Sequence, residues 1–437
     1  MRRESAFLLA ILLIVLTTKS STAIIRYNVT DLGTLPGYEI SQAWSINNKG
    51  QIAGLVFSSD LEIPQRAVLF DPTGADNNID LGTLGGENSA SLSINNSGQI
   101  VGCADSVNSW HATIFDSTGS GNNTPLCLNE SAAWGNNDNG QIVGYVAVHP
   151  NDNPSSLDLA VVYNLDGEPN TIPLGMLSGY DSSKALSISD TGSTVGVAYN
   201  ANREDYYDMR AVLFDPTGDG NNIDLGSLPG YDSSAALSIN DNSQIVGRAN
   251  LHDMVLFESY APRAVLFDPT GAGNNIDLGT LPGYDSAEAI SINNKGQIVG
   301  RAFTHEGCCS WCPTAVLFDP TGGGNNIDLN ELIDPALGCG FNTAICINDN
   351  GWIVAWGGNA SNPSMSFLLT PIPAGPADFQ PNGNVDLEDF VVLAAAWRSR
   401  PGEQNWNPFC DISDPNDNFI NERDLAVLAD DYLKGTL

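Results

Sequence analysis

Over most of its length the chain alternates short apolar runs with tight polar turns. Segments such as Ala289–Ile292, Gln297–Ala302, Ala315–Asp319 and Ile327–Leu329 are rich in aliphatic and β-branched residues, and Gly, Pro, Asn or Asp bounds them. Branched side chains fit a pleated surface, and the bounding residues tolerate turn backbones, so this pattern predicts short strands. The turns have a chemistry of their own. Asn293-Asn294-Lys295-Gly296 suits a hairpin that needs positive φ. Asp319-Pro320-Thr321-Gly322 suits a type I turn. Helical spacing is absent from these segments.

The set of four segments recurs. Its cleanest copy is 278–328, and copies begin at Leu32, Leu81, Leu126, Leu174, Leu225, Leu278 and Leu329, spaced by 49, 45, 48, 51, 53 and 51 residues. A period near fifty with four strands per unit predicts an all-β, seven-bladed β-propeller over 24–373. The last copy ends at Ser366–Thr370 without a fourth strand, and an unpaired one stands in front, at Tyr27–Gly33. The N-terminal strand is therefore expected to complete the last blade and close the ring, which removes the open sheet edges.

The repeated motifs S-I-N-N-x-G-Q-I-V-G, L-G-T-L-x-G and R/H-A-V-L-F resemble those of the HAF family of extracellular repeat proteins. The likeness covers about residues 27–370. Where that family has His-Ala-Phe, this chain has His111-Ala112-Thr113, with Arg66, Arg210, Arg263 or Thr314 in other copies. The resemblance implies export and assigns no catalytic residues.

Composition fits export. Charged residues are only 16% of the chain, yet the formal net charge is −34, which opposes phosphate backbones and argues against nucleic-acid binding. Arg2 and Arg3, the apolar run Ala6–Leu16 and the small residues Ser21-Thr22-Ala23 read as a signal peptide over 1–23. No other stretch is apolar enough to span a membrane, so the expected location is secreted, extracellular or at the cell surface. Of eight cysteines, Cys308, Cys309 and Cys312 with His305 could form a zinc clip. An oxidising compartment favours disulfides instead, and Cys339 with Cys346 is a local candidate pair.

The loops between second and third strands vary while the frame repeats, and variable loops on a fixed scaffold are where binding resides. They carry aromatic residues, including Phe57, Trp110, Tyr199, Tyr206, Tyr207, Tyr260 and Trp311. Trp110, Tyr206, Tyr207, Tyr260 and Trp311 are the candidate ligand-binding residues, for a polysaccharide or cell-surface glycan. Gly-Tyr-acid recurs after the fourth strand, as in Tyr38-Glu39 and Tyr284-Asp285, and its tyrosines either stack on sugars or pack between blades. No catalytic residue is assigned. The histidines fall in different copies, and no nucleophile-elbow, metalloprotease or P-loop motif occurs.

Beyond a linker at 374–377 the pattern changes. Asp378, Gln380, Asn382, Asp386 and Asp389 stand at positions 1, 3, 5, 9 and 12 of an EF-hand-like loop, with Gly383 at position 6. A second, longer loop offers Asp411, Ser413, Asp417, Asn421 and Asp424. Phe390, Leu393, Ala394 and Trp397, then Leu425, Leu428, Ala429 and Tyr432, repeat at helical spacing. This duplicated pattern over 378–437 resembles a type I dockerin. The resemblance implies a small helical calcium-binding domain with two Ca2+ ions and a cohesin-type partner. It places Leu387, Glu388, Glu422 and Arg423 at the partner contact. Two functions follow as expectations: a non-catalytic binding or scaffold protein, or a carbohydrate-active propeller enzyme on a dockerin-based assembly.

Overall fold

The computed structural model describes residues 26–435 except 61, 107–108, 149–155, 166–170, 202–208, 252–260, 305–312, 360–363, 373–386, 402, 404, 406, 408–409, 411 and 413–418. The expected signal peptide lies outside them, as do Cys308, Cys309, Cys312 and His305. Among the described residues no helix is long and apolar enough to cross a membrane.

Seven four-stranded antiparallel sheets follow one another along the chain, and they are the blades of a β-propeller. Blade 1 is Ile40–Ile46, Ile52–Phe57, Arg66–Phe70 and Ile79–Asp80, paired in sequence order. Blades 2 to 6 repeat that order and begin at Ser89, Ser131, Ser182, Ser233 and Ser286. Blade 7 is Cys339–Ile347, Ile353–Asn359 and Met365–Pro371, and its fourth strand is Tyr27–Asp31 from the front of the chain. Leu32 N–H donates to the Ser366 carbonyl at 3.0 Å and Ile372 N–H to the Arg26 carbonyl at 2.8 Å. The N-terminal strand thus closes the ring, with Tyr27 and Leu32 at 2% and 1% exposure.

Apolar side chains from facing sheets interlock between blades. The Ile and Val of each Q-I-V segment, the Ala-Val of each A-V-L-F and the Leu of each I-D-L are buried, as Ile298, Val299, Ala315, Val316 and Leu278 illustrate. A bulge in the first strand breaks the register, as between Ala289 and Ser291. It brings a first-strand carbonyl against the second strand. A Cβ at Gly300 would collide with the Glu288 carbonyl, which is why the segment reads Q-I-V-G.

The third-to-fourth strand turns are also built alike. Asp268 Oδ1 accepts from Thr270 N and Oγ1 at 3.0 and 2.6 Å, and Oδ2 accepts from Asn274 N and Nδ2 at 3.3 and 2.8 Å. These hydrogen bonds hold the exposed carboxyl down at about 2, led by the Thr270 side chain. Asp71, Asp215 and Asp319 repeat the arrangement and the value.

The recurrent tyrosines belong to the packing. Tyr38, Tyr180, Tyr231 and Tyr284 each lie against a separate inter-blade cluster. Cys339 and Cys346 correct the expected local disulfide: both are free, on one strand. An extended strand holds residues seven apart roughly 23 Å from each other, far beyond disulfide reach. The other described cysteines, Cys103, Cys127 and Cys410, are free as well.

The propeller is one compact unit, Val29–Thr370, and Pro371–Leu437 belongs to a second. In the latter, helices Leu387–Ala395 and Glu422–Gly435 share a small core of Leu393, Ala396, Cys410, Ile420 and Leu428. Phe390, Trp397 and Leu425 pack against that core as expected from the spacing, whereas Ala394 is exposed and Ala396 takes the buried place.

Two outcomes test this architecture. Removing everything before Leu35 uncovers the edge of Met365–Pro371 and deletes the buried Tyr27 and Leu32. At ~2 kcal/mol per buried side chain, differential scanning calorimetry should show a melting temperature lower by roughly 5 °C or more. Unchanged melting would show that the strand does not hold the ring. Second, the aspartate turns stabilise the fold above the ordinary carboxyl range, near pH 4, and lose that contribution as pH falls through about 2. Asp268→Ala should therefore lower the melting temperature at pH 7 by a few degrees and leave it little changed at pH 2.

Candidate functional site

The propeller presents two faces. On one, the first-to-second strand turns surround the axis. Asn47 Oδ1 accepts from Lys49 N and Gln51 N at 3.0 and 2.9 Å, and its Nδ2 donates to the Asn95 carbonyl of blade 2 at 2.8 Å. The same amide passes a bond onward from Asn95, Asn137, Asn240, Asn293 and Asn348, the last returning to Asn47. Blade 4 has Ser189 there, and its hydroxyl stays with Thr191.

The next residue makes a second ring. The backbone N–H of Asn48, Asn96, Asp138, Asp190, Asp241, Asn294 and Asp349 each donates to the side-chain oxygen of the next member, at 2.7–2.9 Å, and Asp349 closes on Asn48. Between the rings lies a polar funnel of about 170 Å³. Burial, then the charges of Asp138, Asp241 and Asp349, pushes the Asp190 carboxyl up. With its amides and carboxylates so engaged, this funnel is the hub of the assembly.

The opposite face carries the second-to-third and fourth-to-first connections. One pair of cross-strand neighbours lies close to it in every blade: Gln42↔Leu55, Ala90↔Cys103, Ala132↔Tyr145, Lys184↔Val197, Ala235↔Arg248, Glu288↔Arg301 and Thr343↔Trp356. The residues around these pairs repeat almost unchanged, but the pairs do not. Here the propeller is chemically individual.

At the edge of blade 1 this position opens into a cavity of about 350 Å³. Leu55, Phe57, Ile63 and Pro64 contribute its apolar lining, and Gln42, Ser58, Gln65 and Asn88 its polar lining. Asn88 is occupied: Oδ1 accepts from Gln65 N at 3.2 Å and Nδ2 donates to Asp105 at 3.1 Å. The Gln42 and Gln65 side-chain amides have no hydrogen-bond partner among the described residues. Tyr38 Oη donates to the Pro64 carbonyl at 3.0 Å. A flat ring, aliphatic neighbours and two uncommitted amides suit a neutral ligand with hydroxyl groups.

Between blades 3 and 4, Asp158 Oδ2 accepts from Tyr199 Oη and lies 3.0 Å from Lys184 Nζ. The ammonium is 4.5 Å from the centre of the Tyr145 ring and 5.6 Å from that of Tyr199. Burial first, then the Asp158 charge, pushes the Tyr145 phenol up to about 12. Tyr199 is pushed higher by burial and by its bond to Asp158. Between blades 5 and 6, Arg248 Nη1 donates to Glu288 Oε1 at 2.6 Å, and Arg301 Nε donates to Oε2 at 2.9 Å. Burial alone would raise the Glu288 carboxyl; the two guanidinium groups overcome it and hold the carboxyl below its ordinary value.

Of the expected ligand residues, Trp110 opens the third strand of blade 2, half-buried and paired with Asp105 at the loop end. Tyr206, Tyr207, Tyr260 and Trp311 lie outside the described residues. His111, the one histidine among the described residues, is 9% exposed, with Nδ1 3.1 Å from the Asn129 carbonyl and Nε2 3.0 Å from Ser106 Oγ. Both its nitrogens serve the loop. The loop-aromatic signal of the sequence covers Phe57 but not Gln42, Gln65, Lys184, Arg248, Glu288 or Arg301. The available signal was departure from the repeat inside the strands.

The expectation of two calcium ions is corrected. Among the described residues no group of three or more His, Cys, Asp or Glu is placed to hold a metal ion. Asp378, Gln380, Asn382, Asp386, Asp411, Ser413 and Asp417 lie outside the described residues. Asp424 is fully buried, and its two oxygens accept from Ile412 N and Asn421 N, both at 2.9 Å. Asn421 Oδ1 accepts from Arg423 N at 2.8 Å, a helix cap. Asp389 is buried at the first helix. Asp424 and Asn421 thus fix the chain that leads into the second helix. Of the expected partner residues, Leu387 and Glu388 begin the first helix, and Glu422 and Arg423 are exposed at the start of the second.

A family model described as a protein of unknown function, DUF3466, matches residues 177–334, which span blades 4 to 6. No curated protein matches the chain. Among solved structures it is similar to the β-propeller domain of the Trilobed protease from Pyrococcus furiosus, at 11% identity and TM-score 0.42 over 66% of this chain and 83% of that one. It is also similar to the polysaccharide lyase Uly1, at 10% identity and TM-score 0.43 over 77% and 90%. A third is the GH93 alpha-L-arabinofuranosidase of Fusarium graminearum, at 10% identity and TM-score 0.36 over 80% and 98%.

Proposed function

We propose that this chain is an exported carbohydrate-binding propeller of the HAF-like repeat type. Its loop face takes a glycan in the cavity of blade 1. The observation that carries this reading is that cavity, lined together by Phe57, its aliphatic neighbours and the uncommitted amides of Gln42 and Gln65. Sugars present one apolar face and a rim of hydroxyls, so they are recognised by a ring on one side and amides on the other. Trp110, with Tyr206, Tyr207, Tyr260 and Trp311, extends the same face in this proposal.

A catalytic reading is favoured by a different observation. Tyr145 and Lys184, at the equivalent register of blades 3 and 4, gather with Tyr199 and Asp158 an ammonium, two phenols and a carboxylate. Such groups serve as general acids and bases.

One experiment separates the two. The full chain is mixed with a polysaccharide panel, and retention in affinity gels is scored apart from reducing-end release. The binding reading expects retention without release, with Phe57→Ala weakening retention about tenfold, or ~1.4 kcal/mol, at unchanged melting temperature. Release that disappears in Tyr145→Phe and Lys184→Ala would establish the catalytic reading. Retention indifferent to Phe57→Ala and to Gln42→Ala would remove the cavity from the site.

A further inference from the structure

The second- and first-strand positions that line the blade 1 cavity, Leu55 and Gln42, are Arg248 in blade 5 and Glu288 with Arg301 in blade 6. Glu288 is 5% exposed, while the Arg248 and Arg301 side chains are 24% and 27% exposed. A single sequestered carboxylate therefore anchors two guanidinium groups that both reach solvent.

The hydrogen bonds fix their orientation. Arg301 meets Glu288 Oε2 with Nε at 2.9 Å and Nη2 at 2.8 Å, so the Nη1 edge is not used by this pair. Its guanidinium carbon stands 5.4 Å from the centre of the Phe303 ring, which supports it from the side. A planar fork held in this way matches the paired oxygens of a carboxylate or sulfate. Arg248 enters from the neighbouring blade onto the other oxygen, Oε1, and so holds the Glu288 carboxylate in place beneath Arg301.

From this arrangement we infer that Arg301, seated on Glu288, is an anion subsite of the loop face, and that the glycan it takes bears acidic sugar substituents. The inference rests on the carbohydrate reading above and narrows its ligand class. The formal net charge of −34 sets a further condition. A densely charged polymer is repelled, whereas a single acidic group bound at contact distance is shielded from the remote carboxylates. In physiological salt that shielding acts beyond about 8 Å. The fitting ligand is a sparsely acidic polysaccharide.

The test uses one glucan in three forms: neutral, lightly carboxymethylated and lightly sulfated. Retention of the full chain in affinity gels at physiological salt should be at least fivefold stronger for one acidic form, and the two acidic arms distinguish carboxylate from sulfate. Arg301→Ala should abolish that preference and leave neutral retention unchanged. Because this change strips one partner from a buried carboxylate, Arg301→Lys accompanies it. Lysine keeps a charge beside Glu288 but lacks the fork, and should lose most of the preference at a near-native melting temperature. Equal retention of the three forms, or a preference unaffected by either change in a folded chain, overturns the subsite. If Phe57→Ala is silent while the Arg301 variants lose the acidic preference, the cavity reading fails and the anion subsite stands. If Phe57→Ala weakens all three forms while the Arg301 variants are silent, the subsite alone fails.

Discussion

A turn near the axis of a propeller has backbone groups that point at its neighbours and away from water. Such groups must be paired inside the protein. Here one residue type does it. In six of the seven turns the first residue is an Asn whose oxygen accepts from N–H groups of its own turn and whose amide then donates to the carbonyl of the next blade, as Asn293 does to Asn348. No blade can complete its turn alone. The second ring runs through all seven blades and returns to its start, so the chain is stitched at the hub by Asp349 and Asn48 and at the rim by Tyr27–Asp31. Ser189 interrupts the first ring without opening the second, because Asp138 and Asp241 still bridge it through Asp190. Closure is distributed between two radii of the disc.

This frame explains where the repeat is free to vary. Gly300 is fixed by the Glu288 carbonyl, Asn293 by the relay and Val299 by inter-blade packing. The Glu288↔Arg301 pair is bound by none of these, since its side chains stand near the loop ends of the strands. The same register holds Gln42 and Leu55, Lys184 and Val197, or Thr343 and Trp356 in other blades. A single scaffold thus offers a neutral cavity, a cation among phenols and a guanidinium pair around one ring.

The fold was legible in the sequence because its causes are local and repeated. The period gave the blades, the turn residues gave the hairpins, and the surplus strand at Tyr27 predicted the closure. The small C-terminal unit was half legible. Phe390, Leu393 and Trp397 declared a helix face, but the carboxylates of the two loops that lead into the helices read as ligands by spacing alone. Spacing does not say what a carboxylate accepts, and Asp424 accepts two backbone N–H groups. The candidate site was the least legible. Its cavity depends on Gln42 and Asn88 from successive blades meeting across a gap, which no single copy encodes. Phe57 is legible as a loop aromatic, although it is not among the five candidate ligand residues, and no feature of the sequence marks Gln65, which lines the same cavity.

The placement of the arginines separates hub, rim and site by energy. Arg66, Arg210 and Arg263 occupy one repeated position, and each pairs with the aspartate of its own fourth strand, Asp80, Asp224 or Asp277. Those aspartates are 41–46% exposed, and such pairs contribute at most about 1 kcal/mol. Glu288 is a different case. Taking a carboxylate out of water costs several kcal/mol, and a well-packed apolar group of the same size would often stabilise the sheet as much. Ala90, Ala132 and Ala235 fill the equivalent place in three other blades. Stability therefore does not require a buried acid there. What Glu288 supplies that alanine cannot is a fixed bearing for two guanidinium groups from adjacent blades, which is a property of a binding surface more than of a core.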